Sequence, residues 1–167
     1  HFCRNTEVTR RSLKRRHFSQ LTVTLPRVPE SVSRRMRQIR RRGTQPERLV
    51  ARLLRTLRIR YRCTGVGLPG SPDIFNRKEK WAVFVHGCFW HGHDNCRRSK
   101  IPATNTGFWR AKIAANQKRD RRKANQLRRR GWRVLTVWQC RLDRPDYVAA
   151  RLARELGGPN ARSRRQE

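Results

Sequence analysis

The sequence predicts an α/β fold, a single mixed sheet with helices on its faces. Three observations predict it: an amphipathic helix with a recognisable start, apolar runs at 81–85 and 132–138 that fit buried strands, and the element order α, β, β, β, α, β, α. At 167 residues the chain has room for one compact domain plus tails. No internal repeat interrupts this reading.

The helix starts at Thr44-Gln45-Pro46-Glu47, where Thr44 is placed to cap the free N–H groups, Pro46 sits in the first turn and Glu47 completes a capping box. It should run to about Leu57, with Leu49, Val50, Leu53, Leu54 and Leu57 on one face and arginines on the other. Ile59 to Cys63 alternates like a strand, so Cys63 is expected in the core, and the stretch Gly65 to Pro72 is loop chemistry. Asp73 to Phe75 and Trp81 to Val85 are expected as two strands joined by a polar turn, the second apolar almost throughout, as a central strand should be. A long helix from about Thr106 to Arg130 follows, with Phe108, Ile113, Ala124 and Leu127 facing the core and Gly131 in C-cap position. Trp132 to Trp138 forms another buried strand, Pro145 to Leu156 a last amphipathic helix, and Trp81, Trp132 and Trp138 are expected as core. Residues 1–32 lack apolar periodicity and fit a disordered basic arm, 33–157 the folded domain and 158–167 a polar tail. The chain begins on His1 and not Met, which fits a fragment or an extended reading frame.

Charge narrows the partners. Lys+Arg 43 against Asp+Glu 11 gives a net +32, which self-repels until a polyanion neutralises it, so nucleic acid is the expected partner. No apolar run reaches the roughly 20 residues of a spanning helix, and the basic helices have no wide apolar face for lipid, so a membrane is not expected. Five cysteines with no signal-peptide pattern point to a reducing compartment, in which thiols bind metal or sit buried.

The densest chemistry is His86-Gly87-Cys88-Phe89-Trp90-His91-Gly92-His93 followed by Cys96. Cys88, His93 and Cys96 have the spread of three zinc ligands, and Cys140 is far enough along the chain to return as a fourth. His86 and His91 then remain for proton transfer. Asp73 sits at the mouth of a strand, where a carboxylate beside backbone carbonyls either binds a hard cation such as magnesium or caps a turn. Glu47 is explained by its capping box alone, and Asp120 by an ordinary helical ion pair.

Taken together, Met36-Arg37-x-Ile39, Thr44-x-x-Glu47, Leu68-Pro69-Gly70-x-Pro72-Asp73, Phe84-x-His86-Gly87-Cys88-Phe89-Trp90-His91, Pro102-Ala103-Thr104-x-Thr106-x-Phe108-Trp109, Arg119-Asp120-Arg121-Arg122 and Gly131-Trp132-Arg133-Val134-Leu135-x-Val137-Trp138-x-Cys140 resemble the very short patch repair mismatch endonucleases over Ser33 to Leu142. The resemblance implies a restriction-endonuclease-like fold with a structural zinc and a catalytic magnesium. It implies nicking of one strand of double-stranded DNA next to the thymine of a T:G mismatch, the lesion left by deaminated 5-methylcytosine. By motif, Asp73 corresponds to the magnesium carboxylate, helped by the Val85 backbone carbonyl. His91 and His86 correspond to the catalytic histidines, Glu47 and Asp120 to carboxylates that order metal-bound water, and Cys88, His93, Cys96 and Cys140 to the zinc ligands. Phe89, Trp90 and Trp109 match aromatics that wedge into the base stack, and Met36 and Ile39 a segment entering from the other groove. The resemblance further implies a bacterial, cytoplasmic, nucleoid-associated enzyme, for which a monomer suffices and other repair proteins are natural partners. Three positions depart from the family pattern: Val85 where some members carry Thr, Gln139 where Glu often precedes the last Cys, and Asp94-Asn95, which adds spacing before Cys96. The alternative is a non-catalytic, zinc-stabilised DNA-binding protein of the same fold.

Overall fold

A computed structural model describes residues 43–63, 65 and 67–157. The basic arm, the segment carrying Met36 and Ile39, and the tail 158–167 lie outside the described residues. The elements are α1 (Gln45–Thr56), β1 (Arg62–Cys63), β2 (Ile74–Asn76), β3 (Trp81–His86), α2 (Thr106–Arg129), β4 (Arg133–Trp138) and α3 (Pro145–Leu156), with single 3-10 turns at Arg97–Ser99 and Gln139–Asp143. They form the expected mixed sheet flanked by helices, in strand order β1-β2-β3-β4. β2 and β3 form an antiparallel hairpin, and β3 and β4 pair in parallel with α2 as the connection that a parallel pair requires.

Local chemistry explains the element ends. Thr44 caps α1, its Oγ1 accepting the Glu47 N–H at 3.4 Å, while the Glu47 carboxylate accepts the Gly43 N–H at 2.8 Å and the Thr44 hydroxyl at 2.7 Å. At the other end Arg58 adopts φ 53°, and Ile59 donates its N–H to Leu54 O while Arg58 donates to Arg55 O. This is a Schellman closure with Arg where Gly is usual. It overturns the expected strand from Ile59: that residue is the buried plug of a helix end, and β1 is reduced to Arg62–Cys63. Cys63 is exposed on this edge strand and is not core. The same closure ends α2, with Gly131 at φ 77° and Trp132 donating to Leu127 O, as its glycine foretold.

The pleat of β3 divides the interior. Trp81 and Val83 point into the main core, with Val50 and Leu54 of α1, Leu135 and Val137 of β4, and Val148, Leu152 and Leu156 of α3. Ala82 and Phe84 point the other way, into a smaller cluster with Phe75 and with Leu127 of α2. Trp81 is fully buried as expected and Trp132, half-buried, packs against the smaller cluster, whereas Trp138 is half-buried against the rings of His86 and His93 and is not core.

Candidate active site and metal centre

His86 closes β3 on the α2 side, paired in register with Trp138 at the end of β4. Beyond it the chain folds into a tight turn, with His91 N–H bonded to Gly87 O at 3.2 Å and His93 N–H to Cys88 O at 3.0 Å. This turn is fastened to α2. Asn116 donates from its amide to Trp90 O at 2.9 Å, and Gln117 donates to Gly92 O at 2.9 Å and His91 O at 3.3 Å. Gly92 sits so close that a Cβ there would lie 2.5 Å from Ile113 and 2.6 Å from the Gln117 amide, and its φ of 58° suits glycine. Sequence reasoning missed Asn116 and Gln117. The available signal was their position: both share the face of α2 that carries Ile113 and Leu127, where amides have reason to be only if a backbone needs partners.

The turn brings the two histidines together. The His86 and His91 rings stack at 3.9 Å and 8°, and His91 Nδ1 lies 2.6 Å from Asp120 Oδ2. Burial by itself would raise the Asp120 carboxyl, but the His91 hydrogen bond and the surrounding positive groups hold it below its ordinary value. An ionised carboxylate only accepts, so Nδ1 of His91 carries a proton, and in the neutral imidazole Nε2 is the free acceptor. His86 is pushed down to about 4, first by burial and then by His91, so at neutral pH it is uncharged. Asp73 lies at the threshold of β2, one carboxylate oxygen accepting the Val85 N–H at 2.7 Å. Burial raises its carboxyl to about 6 against the lowering effect of that hydrogen bond, and neighbouring Glu47 raises it further.

Asp73, Glu47, His86, His91 and Asp120 all line one cleft of ≈ 1520 Å³, together with Lys112, Arg119, Arg121, Lys123 and Arg128. Phe89, Trp90, Phe108 and Trp109 form an aromatic cluster with contacting centroids 5.1 to 6.2 Å apart, and Trp90, Phe108 and Trp109 line the same cleft. Phe89 and Trp90 are half-buried, whereas Trp109 is buried in the middle of the cluster.

The second cluster lies on the far side of Trp138. One ligand atom from each of Cys88, His93, Cys96 and Cys140 lies within 4.8 Å of the other three, with Cys140 Sγ 3.3 Å from His93 Nδ1. A tetrahedral zinc with Zn–S near 2.3 Å would set such ligands about 3.5 to 3.8 Å apart, so the donor set fits. Cys88 is fully buried, and burial pushes its thiol up to about 12, partly opposed by the Cys140 backbone; a cation is the partner that would turn it into a thiolate. Ser99 and Arg98 brace this region, the Ser99 hydroxyl on the carbonyls of His93 and Cys96, the Arg98 guanidinium on Asp143. These four residues constitute a possible metal centre, separate from the His86, His91 and Asp120 group.

Carboxylates and paired imidazoles framed by lysines and arginines suit enzymes that hydrolyse phosphodiesters, and the family model and sequence relatives agree. The model of the DNA mismatch endonuclease Vsr family matches residues 28–98. The type II nicking enzyme V.XorIIP of Xanthomonas oryzae pv. oryzae is 44% identical over 124 residues, which is 74% of this chain and 90% of that one. The DNA mismatch endonuclease Vsr of Escherichia coli strain K12 is 44% identical over 110 residues, 66% of this chain and 70% of that one. Among solved structures, the catalytic domain of the homing endonuclease I-Bth0305I overlaps with a TM-score of 0.46 at 26% identity, over 67% of this chain and 93% of that one. The chain belongs to the Vsr family of DNA mismatch endonucleases.

Proposed function

We propose that this protein nicks one strand of duplex DNA next to the thymine of a T:G mismatch by magnesium-assisted phosphodiester hydrolysis, with zinc in the Cys88, His93, Cys96 and Cys140 centre. The observation that carries this reading is the meeting of Asp73, His86, His91 and Asp120 in one basic cleft of a family member. A buried carboxyl raised by its surroundings and by a second carboxylate fits a divalent cation, and Asp73 with the Val85 backbone carbonyl would hold it. When bound, that cation stabilises negative charge on the scissile phosphate and its leaving oxygen.

The protein's own residues do the rest. His91 takes the proton of the attacking water at Nε2, and Asp120 keeps its other nitrogen protonated and stabilises the imidazolium that results. His86, neutral and stacked beside it, orients water or donates a hydrogen bond to the phosphate without competing for the proton. Glu47 serves both its helix cap and the cleft, where its carboxylate would order water beside a bound cation. Phe89 and Trp90, backed by Trp109, wedge beside the mismatch, where unstacking costs less than at a paired step. The basic cleft wall binds phosphates, and a monomer acting on bacterial chromosomal DNA in the cytoplasm meets the requirements.

The test uses duplexes with one T:G mismatch and matched controls, in magnesium and in chelator, with wild type and Asp73→Ala. The expected result is a nick in one strand of the mismatched duplex only, absent in chelator and in the variant. Equal binding to both duplexes without a nick in any divalent ion would favour the non-catalytic DNA-binding alternative.

A further inference from the structure

A chain of ring contacts joins the two clusters. His93, a ligand candidate of the cysteine centre, stacks on Trp138 at 4.2 Å and 11°. Trp138 meets His86 edge-on at 5.3 Å and 75°, and His86 stacks on His91. From these contacts we propose that Trp138 is a positioning residue that sets the orientation of the His86 imidazole according to the geometry of the metal held by Cys88, His93, Cys96 and Cys140.

Three routes link the centres, and they are not equal. The backbone His86-Gly87-Cys88 leaves a strand end held in register by β4, and the backbone through His91, Gly92 and His93 is tied to α2 by Gln117, with Ile113 packed against Gly92. That clamp does not involve the metal ligands, so it isolates His91 from small movements of His93. The Trp138 route has no such clamp. The His86 backbone is fixed by its pairing with β4, leaving the ring plane to be decided by neighbouring rings: His91 on one face, the Trp138 edge, and Phe84 at 6.1 Å and 49°. An indole that stacks on a metal-bound imidazole must follow that imidazole, since the offset-stacked and edge-to-face geometries are directional. Trp138 touches no reacting atom; it acts through His86, as outer residues around metal sites commonly act through the ligands they orient.

The test uses the full chain in its zinc form and in a form with the larger cadmium ion, which preserves the fold while lengthening the metal–ligand bonds. The imidazole carbon-bound proton resonances of His86 and His91 are compared for wild type, Trp138→Phe and Trp138→Met, with one metal per chain and an unshifted melting curve as controls. Exchanging zinc for cadmium is expected to move the His86 resonance in wild type and in Trp138→Phe, and to leave it in place in Trp138→Met. A His86 response in Trp138→Met equal to that of wild type would overturn the proposal and give the coupling to the backbone, as would a wild-type His86 that ignores the exchange. Should Trp138→Met fail to fold, Trp138→Leu, which likewise lacks a ring, takes its place with the same expected and overturning results.

The activity arm rests on the endonuclease reading. There kcat for nicking should fall about ten- to a hundredfold in Trp138→Met, with KM for DNA nearly unchanged and with Trp138→Phe restoring most of the loss. A wild-type protein that does not nick would sink the endonuclease reading while the resonances still test the coupling.

Discussion

Strand β3 holds two proteins' worth of opposite demands in six residues. Trp81 and Val83 enter a core with no buried polar side chain among the described residues, while Phe84 and His86, one position over, face α2 and an open cleft lined with carboxylates, imidazoles and arginines. The first face is made of side chains that ask only for volume and dryness. The second holds a carboxyl raised to about 6 and a histidine lowered to about 4, states that cost free energy and persist because the first face supplies it. Stability and chemistry are therefore separable by strand parity, and substitutions on the two faces should fail in different ways.

The largest effect belongs to the cleft. His91→Ala should lower kcat for nicking by about 10²- to 10⁴-fold, the usual range for a proton-transfer group, and Asp73→Ala by a similar factor through loss of the proposed cation ligand, with neither variant less stable to heat than wild type. A melting temperature that collapsed in both would break the separation of faces. On the dry face, Leu54→Ala and Leu152→Ala should cost about 2 to 5 kcal/mol in urea unfolding, because both side chains are fully enclosed. The nicking rate per folded molecule should hold, and a proportional loss of rate would show that the core also shapes the site.

Asp73 allows a sharper comparison through pH. Its folded carboxyl titrates near about 6 against an ordinary 3.8, so between those values the folded chain binds a proton that the unfolded chain has released. The cost of ionising it is fully present above about 6 and disappears as pH falls towards 3.8. In chelator, Asp73→Asn should thus be more stable than wild type by roughly 1 to 3 kcal/mol at pH 8 and no more stable at pH 4, as read from paired urea melts. Nicking by wild type should decline as pH drops through about 6, where the protonated carboxyl stops binding a cation. Smallest is the cap: Thr44→Ala should cost about 1 kcal/mol in unfolding, and a larger loss in nicking would show that the cap also holds Glu47 for the reaction.

What the sequence disclosed follows the reach of each interaction. The Thr44 cap, the Trp81 strand, the Gly131 stop and the cysteine-histidine spacing are local, and the structure has all of them. Ile59 misled because a Schellman closure built on Arg58 carries none of the glycine that marks such ends. Cys63 misled because a two-residue edge strand has no second layer to bury it. Asn116, Gln117 and the ring contacts of Trp138 were hidden for a different reason: their partners are 25 or more positions away in the chain, and nothing in a helix or a strand pattern distinguishes an amide or indole that reaches across. The family resemblance marked His91 and Asp120 separately for the site, and their pairing across 29 positions is supplied by the fold alone.

Gly92 has a consequence for anyone wishing to redesign this enzyme. Even alanine there would collide with Ile113 and Gln117, so the single residue between His91 and His93 leaves no slack between the proposed proton acceptor and the proposed metal ligand. Libraries that vary this loop will retain glycine at 92 unless α2 is varied with it, which makes the loop and helix one heritable unit.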